Sequence, residues 1–166
     1  MKIFIRYISG NLLRRRKLNI ENDLQIRKIC SEDIDILLGI ENESHPDPWS
    51  RKMFEKELKL DYAYFFVGNI LSEIVTYIGF WHIMDEAHLT NITVSKNYRR
   101  LGIGKKMMEY LTNCSKMLKI KRILLEVREN NLPAISLYKK FDFKKIHIRK
   151  KYYSNYENAV IMEKLL

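Results

Sequence analysis

The sequence predicts an α+β sandwich built on one mixed central sheet. Apolar residues alternate in some segments and recur near every 3.6 residues in others, the periods of strand and helix. The segments follow in the order strand, two helices, three strands, helix, strand, helix, two strands. Midway stands the basic, glycine-containing stretch Arg99-Arg100-Leu101-Gly102-Ile103-Gly104, at a strand-to-helix turn.

Leu24 to Ile29 alternates weakly and reads as a short strand. Ser31 with Glu32 and Asp33 is a helix start, an N-cap followed by acids, and the helix runs to about Glu43. His45-Pro46-Asp47-Pro48-Trp49-Ser50 breaks it, because a proline restricts the residue before it to extended conformations. Ser50 caps a second helix through Leu60. Aromatic and β-branched residues dominate from Tyr62 to Val67 and from Glu73 to Met84, two strands with a turn near Asn69. Asp85-Glu86 separates these from Ala87 to Val94, completing an antiparallel meander.

After Gly104 the apolar residues Met107, Met108, Leu111 and Leu118 give a helix with one buried stripe. Ile123 to Val127 is a compact apolar run, a central strand. Asn130, Asn131 and Pro133 open the next helix, where proline's missing N–H costs nothing. Phe143 to Tyr153 and Ala159 to Leu165 read as two strands linked by the polar turn Ser154 to Asn158.

A chain of 166 residues suits one domain with one sizeable core. No apolar run approaches the roughly 18 residues of a membrane span. The formal charge of +10 is unevenly placed. Residues 1 to 20 hold six basic side chains (Lys2, Arg6, Arg14, Arg15, Arg16, Lys17) and no acid, leaving 24 basic against 20 acidic residues elsewhere, or +4. Residues 1 to 23 therefore read as a basic extension, and 24 to 166 as the domain. The extension is open to several readings: a transit peptide, a membrane-surface helix, a ribosome-contacting tail, or a poorly ordered, solvated N-terminus. Cys30 and Cys114 lie in apolar-periodic segments without metal-ligand spacing and are expected to be reduced, buried thiols, and no metal site is apparent.

The glycine stretch has a physical use. A helix N-terminus carries unpaired N–H groups and partial positive charge, and glycines let an anion approach them. Arg99, Arg100, Lys105 and Lys106 add full charges. A Walker loop is absent, and Met107 stands where a dinucleotide fingerprint needs its third glycine. What remains is an anion cradle, most simply for a pyrophosphate, or a capped turn on a solvated surface. The pattern Arg/Gln-x-x-Gly-x-Gly/Ala resembles the acyl-coenzyme-A loop of the GNAT superfamily of N-acetyltransferases.

Further stretches, in order from about Leu24 to the end, resemble one branch of that superfamily, the bacterial ribosomal-protein-alanine N-acetyltransferases. They are His45 to Ser50, Asp85-Glu86-Ala87 with Asn91 to Val94, Leu125 to Arg128, Ala134 to Phe143, and Lys151-Tyr152-Tyr153 with Ala159 to Met162. The residues before Leu24 have no counterpart, and Glu157-Asn158 replaces a more acidic pair. The resemblance implies a three-layer sandwich with a mostly antiparallel sheet. It also implies acetyl-coenzyme A as co-substrate. Its pyrophosphate would lie on Arg99, Arg100, Leu101, Gly102, Ile103, Gly104 and Lys105, and its pantetheine arm along Ile92, Thr93 and Val94, with Asn131 as a further polar contact.

Glu126 interrupts an apolar strand, facing away from Leu125 and Val127. Loss of hydration beside its apolar neighbours would favour its protonated form and suit a base, whereas a strand-end Glu paired with a surface Lys is the structural alternative. Tyr138 reads either as a core aromatic beside Ile135, Leu137 and Phe141 or, by the resemblance, as the acid that protonates the departing thiolate. The resemblance gives Glu126 the proton of the acceptor amine. Trp49, Tyr152 and Tyr153 are candidates for a wall of the peptide groove. His82 and His88 read as structural.

The implied activity is acetylation of the N-terminal alanine of a small-subunit ribosomal protein, in the cytoplasm, by a monomer or weak oligomer contacting neither membrane nor nucleic acid directly. A relaxed-specificity N-terminal or small-amine acetyltransferase is the neighbouring alternative. A non-catalytic RNA- or ribosome-binding module is the alternative from another class, and would interleave basic and aromatic residues on one sheet face.

Overall fold

The computed structural model describes residues 19–166. The expectations for the basic extension up to residue 18 lie outside the described residues. Asn19 opens a single turn, α1 (Ile20–Asp23), its N–H donating to Asp23 Oδ2 at 2.7 Å. Ile20 packs against the core.

The chain then forms β1 (Leu24–Lys28), a 3-10 turn at Ser31–Asp33, α2 (Ile34–Ser44), α3 (Arg51–Glu57), β2 (Ala63–Ile70), β3 (Glu73–Ile83) and β4 (Glu86–Val94). A 3-10 turn at Lys96–Tyr98 leads to α4 (Ile103–Met117), β5 (Arg122–Arg128), α5 (Leu132–Lys140), β6 (Lys144–Arg149) and β7 (Ala159–Leu165). The strands make one seven-stranded sheet in the order β1-β2-β3-β4-β5-β7-β6. Every neighbouring pair is antiparallel except β4 and β5, which α4 connects and which therefore run parallel.

Two cores cover the two faces. Ile34, Leu37 and Ile40 of α2 and Phe54 of α3 meet Phe65, Val67, Ile74 and Tyr77 on one side. Ile103, Met107, Met108 and Leu111 of α4 and Tyr138 of α5 meet Phe80, Leu89, Ile123, Leu125 and Val127 on the other. Helices on both faces explain why β3 is buried continuously from Ile74 to Phe80 instead of alternating. Gly79 is required within that run: a Cβ there would stand 2.2 Å from the Phe65 ring.

Four expectations are corrected. The β2–β3 turn falls at Leu71-Ser72, with Leu71 at φ +56°, because Asn69 is still paired with Ile74. Helix α3 stops at Glu57, short of Leu60. Strand β6 ends at Arg149: Lys151 takes a left-handed backbone (φ +54°), and the N–H groups of Tyr152 and Tyr153 both donate to Glu157 O, closing a loop where a strand was expected. Cys30 is exposed, since it follows β1 at the turn into the 3-10 helix, whereas Cys114 is buried.

Candidate active site

The site begins where the parallel strands part. Strand β4 pairs with β5 only from Glu86–Arg122 to Leu89–Leu125. Beyond that, Thr90 to Val94 keep β3 on one side and have no strand on the other, while Glu126 to Arg128 stay paired with β7. Between the diverging ends lies a cleft of about 320 Å³. Its walls are Thr90 to Val94 of β4, Glu126 to Arg128 of β5, Gly104 of α4, the first turns of α5 with Asn131, and Glu41 and the 45–49 loop after α2.

The cleft gathers nine of the predicted residues: Trp49, Ile92, Thr93, Val94, Gly104, Glu126, Asn131, Tyr138 and Tyr153. Tyr138 is buried against Phe143, and burial raises its hydroxyl well above the ordinary phenol range, with Tyr153 pushing the same way. A phenol in that state holds its proton at neutral pH. Burial likewise pushes Tyr153 up to about 12, against the opposing pull of Arg128.

Glu126 departs from expectation in its surroundings. Leu125 and Val127 are buried, as the strand period requires, but the Glu126 carboxylate is about one-third exposed and ion-paired with Arg149 on β6. The side chain is not enclosed by apolar neighbours. Instead the guanidinium holds the carboxylate at the cleft edge, with the Tyr152 hydroxyl as a second neighbour. Tyr152 itself is 47% exposed, stands edge-on to Tyr153, and lies outside the cleft lining.

The glycine stretch forms the N-terminus of α4. Gly102 is the N-cap at φ +88°, a left-handed conformation that costs glycine little, and a Cβ there would meet no atom within 4 Å. The first helical bond runs from Lys106 N–H to Gly102 O, so the N–H groups of Ile103, Gly104 and Lys105 precede it. The side chains are arranged less simply. Ile103 is in the core and Leu101 packs against it, leaving only their backbone for a ligand. Arg99 turns back to Val94 O (3.0 Å) and Ser44 Oγ (2.8 Å), Arg100 is exposed, and Lys105 reaches Glu109 at 3.3 Å. None of these side chains lines the cleft; they surround the helix end at its border. Asn131 has a capping role, its Oδ1 accepting from Ala134 N–H at 3.2 Å.

The structure adds a buried carboxylate to which the sequence reading gave no role. Glu41 is 1% exposed, accepts from the Tyr77 hydroxyl and from Trp49 N–H (2.9 Å), and lies 3.4 Å from Thr93 Oγ1 and from His45 Nε2. His45 Nε2 also lies 2.8 Å from Thr93 Oγ1. Thr93 therefore spends its side chain on this cluster. The signal was available, because Glu41 falls on the apolar stripe of Ile34 and Leu37, where a charged residue needs buried partners. His82 and His88 do stand apart from the site, on Met84 O and Glu86 respectively.

The cleft suits an extended chain carrying amides. Its β4 edge has no strand partner, and Thr90 Oγ1 and Asn91 Oδ1 are buried without a hydrogen-bond partner in the protein. Peptide-like groups laid along β4 can pair with that edge as an added strand would.

Comparison with known proteins agrees with this geometry. The family model described as Acetyltransferase (GNAT) family matches residues 34–143. The chain belongs to the GNAT acetyltransferase family. It is 37% identical over 139 residues, 82% of this chain and 92% of the relative, to a Bacillus subtilis protein provisionally named a ribosomal protein bS18-alanine N-acetyltransferase. It is 32% identical over 153 residues, 84% and 92% of the two chains, to an N-alpha-acetyltransferase of Sulfurisphaera tokodaii. The crystal structure of the ribosomal protein bS18-alanine N-acetyltransferase of Escherichia coli superimposes with a TM-score of 0.80 at 29% identity, over 86% of this chain and 93% of that one. The predicted class, an α+β sandwich with a mixed, mostly antiparallel sheet, is the fold observed. The protein is an acetyltransferase, a family whose members use acetyl-coenzyme A. Among the described residues no His, Cys, Asp and Glu cluster could hold a metal, and no helix is long and apolar enough to cross a membrane.

Proposed function

We propose that this enzyme acetylates the α-amino group of a protein N-terminus, with an alanine-starting small-subunit ribosomal protein as acceptor. The observation that carries the reading is the cleft at the β4–β5 divergence, which has Glu126, Tyr138 and the free β4 edge around one space. The names of the bacterial relatives supply the acceptor. The archaeal relative, named for N-alpha-acetylation in general, supports the relaxed-specificity reading as the second one. Family membership sets aside a non-catalytic module.

Residues Thr90 to Val94 would take the pantetheine arm, and the N–H groups opening α4, with Arg99, Arg100 and Lys105 around them, would take the pyrophosphate. Acetyl-coenzyme A supplies an activated thioester. The remaining work falls to the protein. An α-amine has a reference pKa of about 7.7–8.0 and arrives mostly protonated. Glu126, held by Arg149, accepts that proton directly or through a water, freeing the lone pair for attack. Tyr138, buried and protonated, donates to the leaving sulfur. Trp49 and Tyr153 wall the acceptor side, and Tyr152 supports Tyr153 from outside. The reaction belongs in the cytoplasm, where ribosomal proteins are made.

The test is mass spectrometry of the purified enzyme with acetyl-coenzyme A and a panel of peptides starting with Ala, Ser, Met or Pro, beside a polyamine. Gain of one acetyl group at the α-amine of the alanine peptide, well ahead of the others, is expected. Equal rates across the panel favour relaxed specificity, and acetylation of the polyamine alone refutes the N-terminal assignment.

A further inference from the structure

Three segments distant in sequence meet at one side chain. Arg128, 18% exposed, ends β5 immediately after the cleft residues Glu126 and Val127. Its Nη2 donates to Asp47 Oδ2 at 2.7 Å, and its Nη1 to Glu157 Oε2 at 2.9 Å and Asn155 Oδ1 at 3.1 Å. Its guanidinium carbon lies 3.9 Å from the centre of the Tyr153 ring. Asp47 belongs to the loop between α2 and α3 that carries Trp49. Tyr153, Asn155 and Glu157 belong to the loop between β6 and β7. Ser154 Oγ donates to the same Asp47 oxygen at 2.9 Å, tying one loop directly to the other.

The bond to Asp47 alone would contribute little, since Asp47 is about half exposed, whereas the Glu157 carboxylate is more sheltered. Together the contacts of Arg128 use both ends of a planar fork and one face of an aromatic ring, a geometry that lysine cannot reproduce. Ordering irregular loops costs conformational entropy. If the loops are ordered before the acceptor arrives, that cost is absent from acceptor binding. The hydrogen bonds of Arg128 run to these two loops and none to the N-terminus of α4, where the acyl donor's phosphates belong. Arg149, the partner of Glu126, has no bond to the Asp47 loop.

We propose that Arg128 is a positioning residue that clasps both loops on the acceptor side of the cleft and so sets acceptor affinity. This rests on the acetyl-transfer reading above for its kinetic consequence, but the ordering of the loops is measurable without it.

The experiment has two arms, applied to the wild type, Arg128→Ala, Arg128→Lys and Asp47→Asn. In hydrogen exchange of the free enzyme, Arg128→Ala should speed exchange in both loops while α4 and β3 are unchanged. In steady-state kinetics with an alanine-starting peptide, its peptide KM should rise about tenfold with kcat little changed. Its affinity for acetyl-coenzyme A by calorimetry should equal that of the wild type. Arg128→Lys should recover part of the peptide KM, and Asp47→Asn, which loosens one loop and keeps the Glu157 contact, should fall between. Loops that exchange at the wild-type rate in Arg128→Ala, or a peptide KM unchanged in both Arg128→Ala and Asp47→Asn, would overturn the proposal. A parallel loss of acetyl-coenzyme A affinity would overturn it too. A wild type that acetylates no peptide refutes the acceptor class, and the exchange arm then decides the clasp by itself.

Discussion

The Tyr77 hydroxyl donates to the Glu41 carboxylate, so a central strand and the helix packed over it share a hydrogen bond inside the core. Burial, and then the adjacent carboxylate, push the Tyr77 phenol well above its ordinary range, so the proton stays on the tyrosine. The same carboxylate fixes the backbone of Trp49 at the cleft wall, which links core stability to site geometry.

Glu41→Ala should therefore destabilise the fold by about 1–3 kcal/mol, because it removes the acceptor shared by the Tyr77 hydroxyl and the Trp49 N–H. Glu41→Gln keeps an acceptor oxygen and should cost less. Urea denaturation midpoints at constant slope measure both, and equal midpoints for Glu41→Ala and the wild type would refute the bridging role.

The two glycines of the α4 N-terminus should fail differently. Gly102→Ala forces a side chain into a left-handed backbone and should lower stability by about 1–2 kcal/mol. Gly104 has no such backbone demand, and a Cβ there stands 3.4 Å from Leu137 and 4.0 Å from Val94, both cleft residues. Gly104→Val should leave melting nearly unchanged and weaken acetyl-coenzyme A binding by calorimetry. Wild-type affinity in that variant would remove α4 from the donor site.

Glu126→Gln keeps the shape of the side chain and removes its basicity, so the peptide acetylation rate near neutral pH should drop about a hundredfold or more. Raising the pH deprotonates the amine in solution and should restore part of the rate. Tyr138→Phe removes an acid, so its deficit should persist as pH rises. A pH–rate profile in which neither variant differs in shape from the wild type would place the proton transfers on other groups.

Asp33 gives a stability signature against pH. The Arg27 guanidinium grips both of its oxygens (2.6 and 2.7 Å) and holds its carboxyl at about 2, below the unfolded reference of about 3.9. A depressed carboxyl stabilises the fold above the unfolded pKa, and that contribution is lost as pH falls through the folded one. Arg27→Met should thus melt lower than the wild type at pH 5 to 7, with the gap closing between about pH 4 and pH 2. A gap independent of pH would mean that packing of the arginine stem, and not the ion pair, carries the effect.

The order of strands and helices was legible in the sequence because both periods and the turn residues are local properties. Leu89, Met107, Leu111 and Ile123 announce their buried faces by spacing alone, and Pro133 announces a first helical turn. Gly102 and Gly104 were legible for the same reason, since a helix start is written in neighbouring residues. Tyr152 and Tyr153 misled because their apolar, aromatic character suits a strand. Only the left-handed backbone at Lys151 and the acceptance of both N–H groups by Glu157 O turn them into a loop.

By itself, then, the sequence determined the order of the elements and, through motif resemblance, the acetyltransferase family. The tertiary structure alone decided which charges meet. Glu126 finds Arg149 across 23 residues, Arg128 finds Asp47 across 81, and Glu41 finds Tyr77 across 36. Such pairings depend on strand register and loop closure over long separations, and electrostatic attraction has no period along the chain. The width of the cleft was decided there as well, by the point where β4 and β5 cease to pair, since hydrogen bonding between strands that part is set by the twist and packing of the whole sheet.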